Sequence, residues 1–60
     1  MIHKVMIKMP NNETVVRTFE TMTEAFLCVI NTQTYFVLKG LDSVWMREND
    51  TYYVGVVNQK

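Results

Sequence analysis

Between two β-branched segments the chain carries ETMTEAFLCVI, Glu20 to Ile30, which opens like a helix and then stays apolar on almost every side. Thr21 and Glu24 have the spacing of a capping box: the threonine hydroxyl accepts from the glutamate backbone, and the glutamate reaches back to Thr21. At about 100° per residue, Met22, Ala25, Phe26, Val29 and Ile30 share one face. Glu24 and Asn31 lie opposite, with Leu27 on one flank and Cys28 on the other. A helix on the surface of a small domain ordinarily has one apolar stripe and one wet side. The excess needs a second cover. Either sheet edges and loops reach round to Leu27, or Leu27 belongs to a contact surface.

The flanking residues supply strands. His3 to Met9 alternate in part, and Thr14 to Phe19, TVVRTF, are β-branched. Between them Pro10, Asn11, Asn12 and Glu13 form a turn, proline through its fixed φ and asparagine through side-chain bonds to the local backbone. The helix is expected to run from Thr21 to about Asn31. Thr32 to Lys39, TQTYFVLK, reads as a third strand, Gly40 to Ser43 as a turn, and Ser43 to Glu48 as a fourth strand. A short connection, Glu48 to Asp50, leads into a fifth, Thr51 to Asn58, with Gly55 marking a bulge. The expected fold is α+β over residues 1–60 as a single domain. Its order is strand-strand-helix-strand-strand-strand, an antiparallel sheet with one helix packed on one face.

Alternation then sorts the strands into two faces. Val5, Ile7, Val16, Phe36, Leu38, Val44, Met46, Val54 and Val56 are placed under the helix. The opposite parity holds Lys4, Met6, Lys8, Val15, Arg17, Phe19, Tyr35, Val37, Lys39, Trp45, Arg47, Tyr53 and Val57. One helix covers only one face, so this second face is expected to be open, apolar and basic. A fully solvated face would alternate to polar residues instead.

Composition narrows the function classes. A 60-residue chain buries only about 60% of its unfolded surface, so sharing apolar surface with another chain would stabilise it. Formal net charge is zero, which weighs against nucleic acid as the main partner. Cys28 is the single cysteine, so no intrachain disulfide forms, and a reducing cytoplasm is expected. Lys4 and Lys8 interrupt the early apolar residues and argue against a signal peptide, and no apolar run approaches a membrane span.

No catalytic set assembles from these residues. His3 is the only histidine and has no carboxylate partner suggested by spacing. Cys28 sits mid-helix among apolar residues, where cysteine is ordinarily inert packing. One histidine and one cysteine make no standard metal set. Gly40 and Gly55 are too few and too isolated for a phosphate loop. No enzyme activity, cofactor or metal is expected.

The strand TVVRTFE running into TMTEAFLCVI, with Thr21, Glu24 and Ala25 at the helix start and a strand after it, resembles small phage-encoded host-takeover proteins, in particular the phage inhibitors of host RNA polymerase. The resemblance covers about half the chain; the final hairpin departs from it. It implies an inhibitor that binds one host protein in the host cytoplasm and performs no chemistry of its own.

Two functions are therefore weighed. The first is a protein-binding module, an inhibitor or adaptor for a host or cognate protein and a homodimer in isolation, with Trp45, Tyr35, Tyr53, Leu27, Arg17, Arg47 and Met6 as contact residues. Interface centres favour aromatic, methionine and arginine side chains. The second is single-stranded nucleic-acid binding, with Tyr35, Trp45 and Tyr53 stacking bases among Lys4, Lys8, Arg17, Lys39 and Arg47.

Overall fold

The computed structural model of the protein describes residues 1–57. The elements are β1 (His3–Lys8), β2 (Thr14–Phe19), α1 (Met22–Leu38), β3 (Asp42–Glu48) and β4 (Thr51–Val57). The fold is α+β with one helix against a sheet. The sheet has four strands in the order β2-β1-β4-β3. It is mixed rather than purely antiparallel: the two hairpins are antiparallel, but β1 and β4 pair in parallel at its centre. Asn58, the last residue expected in the final strand, lies outside the described residues.

The expected strand Thr32–Lys39 is instead the second half of the helix, which runs for 17 residues and is capped by Lys39. Its threonines, tyrosine, phenylalanine and valine favour strands, yet their spacing serves the helix. Ala25, Val29 and Phe36 are buried and Thr32 is half-buried, all on one side, and tertiary packing of that stripe outweighs local propensity. The helix stops at a Schellman motif. The Leu41 N–H donates to Phe36 O at 3.0 Å and the Gly40 N–H to Val37 O at 2.9 Å, with Gly40 at φ +80°. Leu41 also packs against the core. At the other end Thr21 is the N-cap: its hydroxyl accepts from the Glu24 N–H at 3.2 Å and donates to the Glu24 carboxylate at 2.9 Å. The reciprocal bond of the expected box thus joins carboxylate to hydroxyl rather than to the Thr21 backbone.

The turns behave as the side chains dictate. The Glu13 N–H donates to Asn11 Oδ1 at 3.0 Å, and Asn12 takes the left-handed conformation at φ 72°. Asn49, φ 57°, does the same between β3 and β4.

These turn lengths set the registers, and the registers correct the face assignment. Five residues between β1 and β2 place Ile7 opposite Val15 and Val5 opposite Arg17. Two residues between β3 and β4 place Val54 opposite Trp45 and Tyr52 opposite Arg47. Val5, Ile7, Tyr52 and Val54 are buried under the helix. Their partners Val15, Arg17, Trp45 and Arg47 therefore share the helix side, as does Phe19. Val16, Val44 and Met46 face away. Only β1 and β4 keep the expected orientation. The core is Val5, Ile7, Ala25, Val29, Phe36, Tyr52 and Val54. Phe36, expected on a strand, is fully buried from the helix, whereas Leu38 is exposed.

The apolar segment YYVGVV, which as an exposed edge would invite pairing with another chain, lies instead between β1 and β3. Tyr52 to Gly55 are paired on both sides, and Val56 and Val57 with β3 alone. The free edges belong to β2 and β3.

Candidate interaction surfaces

Register alone builds the uncovered side of the sheet. Cross-strand partners share a face, so the outer side chains fall into rows. One row reads Val16, Met6, Tyr53 and Met46 from β2 to β3. It is apolar across the whole sheet, and Val16, Tyr53 and Met46 are exposed. The next row reads Thr14, Lys8, Gly55 and Val44. Gly55 is bare here: a Cβ on it would come within 3.1 Å of the Lys8 Cβ. The result is a shallow groove of about 500 Å³ among Met6, Lys8, Val44, Met46, Tyr53 and Val57. The row on the other side, Thr18, Lys4, Thr51 and Glu48, is polar.

A second surface lies on the far side of the helix. Between Glu24 and Lys39 the chain has no Asp, Glu, Lys or Arg. Leu27, Val37 and Leu38 point to solvent at 54%, 58% and 81% exposure. A surface helix would ordinarily carry charge there.

The seven expected contact residues do not converge. Met6 and Tyr53 are cross-strand neighbours on the outer sheet face. Trp45 and Arg47 lie on the helix side around Tyr52. The Trp45 ring centroid is 5.9 Å from that of Tyr52, and Arg47 Cζ stands 5.9 Å over the Tyr52 ring. Arg47 Nε also donates to Asn49 O at 3.0 Å. Arg17 and Tyr35 flank a hollow between β2 and the helix, and Lys39 Nζ lies 5.4 Å over the Tyr35 ring. Leu27 borders a hollow with Met22, Phe26 and Tyr52. The basic aromatic sheet face expected from alternation therefore does not form. Lys4 and Lys8 share the outer face with Asp42 and Glu48, while Arg17, Trp45 and Arg47 lie on the other side.

Val16, Val44, Met46, Val37 and Leu38 are exposed apolar residues outside the expected contact set. For Val37 and Leu38 the sequence signal is Gly40 followed by apolar Leu41, a helix-stop pattern that extends the helix past them. For Val16, Val44 and Met46 it is turn length, which fixes the register.

Polar chemistry on these surfaces is sparse. His3 Nδ1 lies 3.8 Å from Asp50 Oδ1, a pairing made by the parallel β1–β4 contact and invisible to sequence spacing. Cys28 is a free thiol, half-buried on the helix. Among the described residues no three His, Cys, Asp or Glu side chains gather as a metal site, and no helix is long and apolar enough to cross a membrane. No protein-family model, curated protein or solved structure matches the chain.

Proposed function

We propose that the protein is a small non-enzymatic binding module that occupies a surface of a host or cognate protein, as an inhibitor or adaptor. The observation that carries this reading is the stretch of helix between Glu24 and Lys39, which holds no charged residue and leaves Leu27, Val37 and Leu38 in solvent. Apolar surface left open on a small domain marks a contact site. The resemblance to phage inhibitors of host RNA polymerase supports the inhibitor form, with the host cytoplasm as its place of action.

The test is affinity capture with the wild-type chain and with a Leu27→Gln/Leu38→Gln variant, followed by identification and reconstitution with the purified partner. A partner bound by the wild type and lost by the variant is the expected result. A partner bound equally by both would overturn the reading. So would binding to a single-stranded oligonucleotide that falls steeply with salt.

A further inference from the structure

The outer sheet face has a matched arrangement of charge about β4. Thr51 pairs with Lys4 on one side and Glu48 on the other. Tyr53 pairs in the same way with Met6 and Met46. In these two rows a cation on β1 answers an anion on β3 and a methionine answers a methionine; in the row of Gly55, Lys8 is answered by Val44. Lys4 and Glu48 are exposed, and among the described residues neither takes part in an ion pair.

We propose that a second copy of this chain covers the outer face, related to the first by a two-fold axis running along β4 between the two sheets. Such a rotation exchanges β1 with β3 and leaves each row in place. Lys4 of each copy then stands over Glu48 of the other, Met6 over Met46, and Tyr53 over Tyr53, an isologous contact. Sheets stacked face to face lie about 10 Å apart with strands within about 30° of one another. Lysine and glutamate reach across that gap from opposite sides, and methionine and tyrosine fill it.

Charge favours a second copy over other occupants. The face carries Lys4 and Lys8 on β1 against Asp42 and Glu48 on β3. It is neutral in sum, and the two-fold sets Lys4 against Glu48 while Lys8 falls over Val44, whereas a polyanion would meet the two carboxylates. The overlap spans three strands, roughly 15 Å by 20 Å from strand spacing and rise. That is small for a specific interface, so a weak, concentration-dependent association is expected. The dimer leaves the helix side free and goes beyond the target-binding reading; the two stand or fall separately.

Sedimentation equilibrium of the full chain across the micromolar range tests this, with Lys4→Glu, Glu48→Lys and the double exchange. Both residues are exposed, and circular dichroism checks that each variant folds. The wild type should dimerise, each single exchange should weaken the dimer roughly tenfold by setting like charges together, and the double exchange should restore it. A strictly monomeric wild type overturns the proposal. So does a dimer indifferent to the single exchanges, or one that the double exchange fails to rescue.

Discussion

The ring of Phe26 meets that of Trp45 edge-on, with centroids 5.5 Å apart and planes inclined by 73°. Both rings also approach Tyr52, at 6.2 and 5.9 Å. Three aromatic side chains from α1, β3 and β4 thus close one flank of the core. Such pairs add to what their burial contributes.

Trp45 therefore acts in folding. Trp45→Ala is expected to destabilise the domain by about 2 kcal/mol, below the range for a fully buried tryptophan because the side chain is 39% exposed. Urea denaturation measures it. The dimer constant, determined where the variant remains folded, should be unchanged.

Thr21→Ala removes the N-cap acceptor of the Glu24 N–H. A loss of about 1 kcal/mol is expected, read as a lower denaturation midpoint with an unchanged slope.

Gly40→Ala tests the helix stop. Nothing lies within 4 Å of a Cβ at this position, so the cost is conformational alone, arising from φ +80°. About 1 kcal/mol is expected. A neutral result in the thermal melt would place the helix end elsewhere.

Phe36→Ala empties the centre of the core, where the ring is fully buried. A loss of about 3–5 kcal/mol is comparable to the whole stability of a domain this small. Circular dichroism should show a largely unfolded chain. A folded, cooperative melt would contradict the helical placement of Thr32–Leu38.

What the sequence determined by itself is local. The Thr21 cap, the asparagine turn after Pro10, the hairpin connection at Asn49 and the strands on either side all follow from side-chain bonds and backbone preferences within a few residues. So does the orientation of β1 and β4, whose Val5, Ile7 and Val54 alternate cleanly with outward residues. The tertiary structure decided the rest. Residues 32–38 have the composition of a strand, and packing of Phe36 in the core with Val29 and Ala25, together with the stop at Gly40 and Leu41, holds them in the helix. The β2 and β3 faces depended on register, because a shift of one residue exchanges the two sides of a strand. Trp45 and Val16 changed sides for that reason. The parallel pairing of β1 with β4 joins segments more than forty residues apart, a distance over which no local pattern in the chain carries information.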